Sequence, residues 1–247
     1  MEPIYRTQFT ISIHDCDCFG RLKPSSLVAM MQQVSSNQCL QLNLGWEDLA
    51  KKNMFWAIIR QKVLIEQLPT LGQTVTIETW PGKTSRVAYP RSTIGYDAQG
   101  KELFRAISLW VLMDMDSRAM ILPDESGISV SGYVRGDELT LPRSLALRHL
   151  SGHAHRQVMY SHLDMNGHMN NAKYLDWMED LLPSFFHKEH PIKGFTINYF
   201  SEAREGEDIQ LQYELTPEGQ LMIEASRPES ELPAEHHRVF AIQASYV

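Results

Sequence analysis

SHLDMNGHMNNAKYLDWMED, residues 161–180, decides the reading of the fold. Its first eleven positions hold Asp164, Asn166, Asn170, Asn171, His162 and His168; after them the pattern turns apolar. Tyr174, Leu175, Met178, Leu181 and Leu182 recur at i, i+1, i+4, i+7 and i+8, which predicts a helix with one buried stripe. HRQVMYSHL (155–163) precedes the loop as an expected strand. GFTINYFSE, DIQLQYEL, QLMIEAS and RVFAIQASYV follow it, punctuated by Gly206, PEG and RPES. The plan is strand, polar loop, helix, then strands.

The first half repeats that plan. YRTQFTISI alternates as a strand, DCDCFGRLK is a polar turn, and Pro24 opens a helix with Leu27, Val28, Met31 and Val34 inward, with Gly45 as its expected stop. FWAIIRQKVLIEQL, QTVTIETW, RVAYPRSTIGYD and ELFRAISLWVLMDMD then read as four antiparallel strands. Asp17 aligns with Asp164 and Gly20 with Gly167 at one offset of 147 (164 − 17), which Leu22/Met169 and Met31/Met178 keep. The expected class is α+β by duplication: residues 1–116, a linker over 117–150 marked by Pro123, Gly127, Gly132 and Pro142, and residues 151–247. The register sets Asn166 against Phe19 and His168 against Arg21. Aligning Gly206 with Gly72 sets Glu202 against Leu68. Polar groups present only in the second copy point to chemistry concentrated there.

Composition narrows the partners. The 247 residues are 43% hydrophobic and 21% charged, and 23 basic against 30 acidic side chains give a net charge of −7. That balance offers no general attraction to nucleic acid or to anionic membranes, so neither is expected. No basic segment runs into an apolar one at the N-terminus, and no stretch approaches the about 18 apolar residues of a spanning helix; a cytoplasmic protein is the expectation. Cys16, Cys18 and Cys39 have no framework spacing and suit a reducing compartment. HDCDC lacks a second ligand pair, HAH (153–155) alternates along a strand, and His187, His190, His236 and His237 form no H-E-x-x-H pattern. No metal or cofactor is expected.

DMNGHMNNAKYLDWMED resembles the D-x-N-x-H-x-N-N-x-K-Y segment of the acyl-acyl carrier protein thioesterases. SLWVLMDMDSRAMILP is similar to the S-x-W-V-x-M-x-x-x-T-R run that ends the first half of that family. The resemblance covers nearly the whole chain. It implies a tandem hotdog, each half a long helix wrapped by an antiparallel sheet, with the acyl chain in the first half and catalysis in the second. It places catalytic roles on Asp164, Asn166, His168 and Glu202, and the lack of a transit segment implies the bacterial form. Where the plant enzymes usually carry a cysteine after this glutamate the chain has Ala203, and its second half contains no cysteine. A Cys–His nucleophile is therefore excluded for a site there.

The reaction so implied is hydrolysis of fatty acyl thioesters on acyl carrier protein. Glu202, with His168, is the candidate general base; His168 is also a candidate proton donor to the thiolate. Asn166 and the N–H groups of Met169 to Asn171 are candidate oxyanion donors. Asp164 is expected to fix the loop, with direct carboxylate attack by Asp164 or Glu202 left open. Helix capping is the structural alternative for the same residues, and is the reading adopted for Asn170 and Asn171. Met30, Met31, Val34, Trp56, Ile58 and Ile59 are candidates for the acyl tunnel. Lys173, Arg143, Arg148 and Arg156 are candidates for docking acyl carrier protein bearing its acyl-phosphopantetheine. Coenzyme A thioester hydrolysis and non-catalytic acyl binding stand as alternatives; a homodimer is left open.

Overall fold

The computed structural model describes residues 3–228 and 237–247. The chain divides into two compact units, Met1–Pro142 and Arg143–Val247. Glu229 to His236, which include the end of the RPES turn and the His236 of the sequence reading, lie outside the described residues.

The first unit contains β1 (Tyr5–Thr10), α1 (Pro24–Gln41), α2 (Trp46–Ala50), β2 (Met54–Ile65), β3 (Thr74–Pro81), β4 (Tyr89–Tyr96), β5 (Glu102–Asp114), β6 (Met120–Ile121) and α3 (Pro123–Ser126). Its main strands pair antiparallel in the order β1-β3-β4-β5-β2, and β6 pairs with β5. Pro24 sits in the first turn of α1, where its fixed φ fits and its missing N–H has no role. Leu27, Val28, Met31 and Val34 are buried. Each side chain so removed from water contributes roughly 1.5–3 kcal/mol. The helix ends at Gln41, ahead of the left-handed Asn43 (φ 56°), and Gly45 instead opens α2. The expected stop at Gly45 is thus corrected by four residues.

The second unit contains β7 (Gly152–Gln157), α4 (Lys173–Glu179), α5 (Ser184–Glu189), β8 (Ile192–Tyr199), β9 (Asp208–Leu215), β10 (Gln220–Ser226) and β11 (Arg238–Tyr246). Its strands pair in the order β7-β9-β10-β11-β8, the first unit's order strand for strand. The long helix expected here is cut short. Pro183 disfavours helical backbone at Leu182, so α4 stops at Glu179, and Leu181 and Leu182 are half-buried in the turn before α5. Tyr174 still packs edge-on against Tyr199 and Phe240, at centroid distances of 5.5 and 4.7 Å, seating α4 on β8 and β11.

The strand expected over 155–163 is also displaced. It ends at Gln157, and Tyr160–His162 forms a 3-10 turn in which the Met159 N–H donates to His162 Nδ1 at 3.1 Å. The segment expected as a linker is divided. Residues 117–142 group with the first unit, with Pro123, Ser126 and Ile128 buried. Arg135 there donates to Glu78 Oε2 (3.1 Å) and Tyr96 Oη (2.9 Å), fastening the segment to β3 and β4. Among the described residues no helix is long and apolar enough to cross a membrane.

Candidate active site

The two polar loops fold alike. The Asp17 N–H donates to Arg21 O at 2.7 Å, and the Asp164 N–H to His168 O at 2.8 Å. Gly20 and Gly167 donate back to Asp17 O and Asp164 O at 3.1 and 3.0 Å. Both glycines have left-handed backbone, φ 75° and 74°, which an L side chain would strain. Leu22 donates to Pro69 O and Met169 to Ala203 O, both at 2.8 Å, tying each loop to the segment that follows the next long strand. The register inferred from sequence therefore matches Asp17 to Asp164 in space within each unit, and Leu68 to Glu202.

Asp164 serves the loop. Its Oδ1 accepts the Asn166 N–H at 2.8 Å, as Asp17 Oδ1 accepts those of Phe19 and Arg21 at 2.8 and 2.9 Å. An aspartate that makes this turn in a copy without the other polar groups is explained by backbone satisfaction. Asn166 Nδ2 lies 3.4 Å from Asp164 Oδ2, which orients the amide.

His168 and Glu202 meet across the loops. His168 Nε2 and Glu202 Oε2 are 3.1 Å apart, with the imidazole 10% and the carboxylate 34% exposed. The pair thus has a desolvated member and a member that water reaches. Glu202 stands in the turn beyond β8, not in the strand itself as its placement in GFTINYFSE suggested. The turn is held from behind: Arg227 Nη2 donates to Glu202 O (2.5 Å) and Glu207 Oε2 (2.7 Å), and Nη1 to Ser201 Oγ (2.8 Å). Arg227 escaped the sequence reading because it neither matches a residue of the first loop nor lies near the motif.

Two of the three backbone donors put forward from sequence are engaged. Met169 N–H is bonded to Ala203 O, and Asn170 N–H to His162 O. Among the described residues the Asn171 N–H has no acceptor, so it replaces them as the oxyanion candidate. Tyr199 Oη donates to Asn171 O at 3.1 Å, and burial holds that phenol protonated by raising it well above its ordinary range. Asn170 Oδ1 accepts the Ala172 N–H at 2.9 Å just ahead of α4. The reading of Asn171 as a cap gains no side-chain bond.

Residues 2–125 match the family model described as the acyl-ACP thioesterase N-terminal domain, and residues 150–240 match that of the C-terminal domain. The chain belongs to the acyl-ACP thioesterase family. It is 25% identical over 224 residues, 85% of its length, to the palmitoyl-acyl carrier protein thioesterase of Gossypium hirsutum. It is 26% identical over 220 residues, 81% of its length, to the dodecanoyl-[acyl-carrier-protein] hydrolase of Cinnamomum camphora. The chain spans about half the length of these plant relatives, 54% and 56%. Among solved structures it is similar to an acyl-ACP thioesterase from Bacteroides thetaiotaomicron, with a TM-score of 0.86 and 20% identity over 99% of this chain and 98% of that one. It is likewise similar to the 12:0-ACP thioesterase from Umbellularia californica, with a TM-score of 0.81 and 22% identity over 100% and 98% of the two chains. The fold is thus the α+β tandem hotdog of this family.

Within that fold the acyl-tunnel candidates separate. Met31, Val34 and Ile58 are buried and Met30 half-buried. Trp56 packs with Leu49, Tyr89 and Leu112, whereas Ile59 packs with Ala88, Leu109 and Val111. Successive strand residues point to opposite faces, so Ile59 is corrected out of the set that contains Trp56 and Ile58. Of the docking candidates, Arg143 and Arg148 are exposed, Arg156 is half-buried, and Lys173 is paired with Asp176 at 3.1 Å.

Proposed function

We propose that the protein hydrolyses fatty acyl thioesters of acyl carrier protein, releasing the fatty acid and the free phosphopantetheine thiol. The observation that carries this is the His168–Glu202 pair at 3.1 Å, built on a loop whose counterpart has Arg21 and Leu68 at the matching positions. Glu202, the member that water reaches, takes a proton as the water oxygen bonds to the thioester carbon. The carbonyl electrons move onto oxygen, and the Asn166 amide with the Asn171 N–H offers donors to that oxyanion. The C–S bond then breaks, and the thiolate leaves with the proton returned from the Glu202–His168 pair. Asp164 holds Asn166 and does not attack. The acyl chain is assigned to the α1 face of the first unit, around Met31, Val34, Trp56 and Ile58, and carrier docking to Arg143, Arg148 and Arg156.

The test is a panel of C8 to C18 acyl groups presented on carrier protein and on coenzyme A. Turnover of the carrier thioesters, with coenzyme A thioesters slower, is expected. Glu202→Gln and His168→Ala should each lower kcat by roughly 100-fold or more with unchanged circular dichroism. Near-normal turnover by Glu202→Gln would overturn the assignment, and faster turnover of coenzyme A thioesters would move the substrate class.

A further inference from the structure

The α1-facing side of the first sheet carries a polar row that the reaction does not use. Arg91 on β4, Ser108 on β5 and Gln61 on β2 lie in register on three adjacent strands. They are 7%, 6% and 3% exposed. Arg91 faces α1, because its Nη1 donates to Gln38 Oε1, with Thr79 Oγ1 at 3.3 Å and Cys39 Sγ at 3.7 Å from Nη2. Among the described residues no carboxylate pairs with this guanidinium and its Nε–H has no acceptor. Burial pushes Arg91 down from its ordinary range. Among the described residues Gln61 Oε1 is buried with no donor.

Leaving a buried cation without a carboxylate and a buried acceptor without a donor, with one strand between them, is costly to a fold that has nothing to put there. The row also adjoins the apolar face assigned to the acyl chain. Further along the same two strands Ile58 pairs with Trp110 and Trp56 with Leu112, and Gln38 follows Val34 by one turn of α1. We propose that Arg91, Gln61 and Gln38 form a subsite for a hydroxyl group carried on the acyl chain, so that hydroxyacyl chains are favoured over unsubstituted ones. A hydroxyl has both the lone pairs to accept from the guanidinium and the proton to donate to Gln61 Oε1; a methylene has neither and a carboxylate would face that oxygen as a second acceptor. The inference rests on the assignment of the acyl chain to this unit.

The experiment compares wild type, Gln61→Leu and Arg91→Met on dodecanoyl carrier protein and on its 3-hydroxy, mid-chain hydroxy and ω-hydroxy analogues. Calorimetry of the corresponding free acids is run alongside. At least one hydroxy isomer should show kcat/KM roughly tenfold or more above the unsubstituted chain in wild type, with the ratio collapsing toward one in both variants. If Arg91→Met does not fold, Gln61→Leu, which replaces an unpartnered acceptor with an apolar group of similar size, carries the comparison. Cleavage of dodecanoyl carrier protein with no preference for any isomer overturns the subsite and leaves the thioesterase reading standing. If no thioester is cleaved, that reading fails instead. Calorimetry then decides the subsite by whether a hydroxy acid binds roughly tenfold tighter in wild type and not in Gln61→Leu.

Discussion

Asp164 tests how a carboxylate beside the proposed catalytic pair should be read. Its Oδ1 accepts one backbone N–H and its Oδ2 orients the Asn166 amide, as Asp17 binds backbone in the first loop. Asparagine keeps an acceptor for the Asn166 N–H but cannot form an anhydride. Asp164→Asn should therefore retain kcat within about tenfold of wild type, since only orientation of a neighbouring group is altered. A loss comparable to that of Glu202→Gln in the same steady-state assay would make Asp164 the nucleophile. The meeting of His168 with Glu202 and the hold of Asp164 on its own loop were both legible in sequence, through the motif and the register. Arg227, the Asn171 N–H, Arg91 and Gln61 left no sequence signal, because a hydropathy pattern marks buried apolar positions and is silent on which polar side chains follow them inside.

The 3-10 turn that leads into the Asp164–His168 loop has its own titration. His162 accepts the Met159 N–H through Nδ1 and lies edge-on to Trp177 at 5.6 Å. Burial first, and then the Lys173 charge, push its pKa below the ordinary histidine value. The folded state therefore binds this proton less readily than the unfolded chain, so stability is full above the unfolded value of about 6.5 and is lost as the pH falls through it. Urea unfolding at pH 7.5 and 5.5 should show a smaller acid loss in His162→Gln than in wild type; an equal loss would remove His162 from the cause. The strap over 117–142 is the other element the sequence misjudged. Its prolines and glycines read as a connection, yet Arg135 binds Glu78, Tyr96 and Asp137 and lies over the Trp80 ring at 5.1 Å. Arg135→Ala should cost roughly 1.5–3 kcal/mol in urea unfolding, because it strips a buried carboxylate of a charged donor. Arg6→Ala, which removes the other, two-thirds exposed arginine bound to Glu78, should cost about 0–1 kcal/mol.

At the scale of the whole chain, duplication is what made the fold readable and what makes the site stand out. Asp208–Leu215 and Gln220–Ser226 form the strands read from alternation alone, and the two halves share one strand order. The second helix misled because its apolar stripe runs on past the residue at which Pro183 ends it. The two loops give a matched pair of perturbations. Gly20 and Gly167 have the same φ within a degree, and a Cβ at either would meet nothing within 4 Å. The strain of Gly20→Ala and Gly167→Ala is therefore left-handed backbone alone, roughly 1–2 kcal/mol in each case. Stability should fall by equal amounts, read as equal shifts in the urea midpoint. Activity should not. Gly167 lies between Asn166 and His168, so a shift of the backbone there moves the amide against the His168–Glu202 pair and should lower kcat on carrier-bound thioesters at least tenfold. Gly20 lies between Phe19 and Arg21, to which the proposed mechanism gives no role, and its alanine variant should keep wild-type kcat at temperatures where it is folded. Equal losses of kcat in the two variants would show that the first loop serves the chemistry as well, and that function is not concentrated in the second copy.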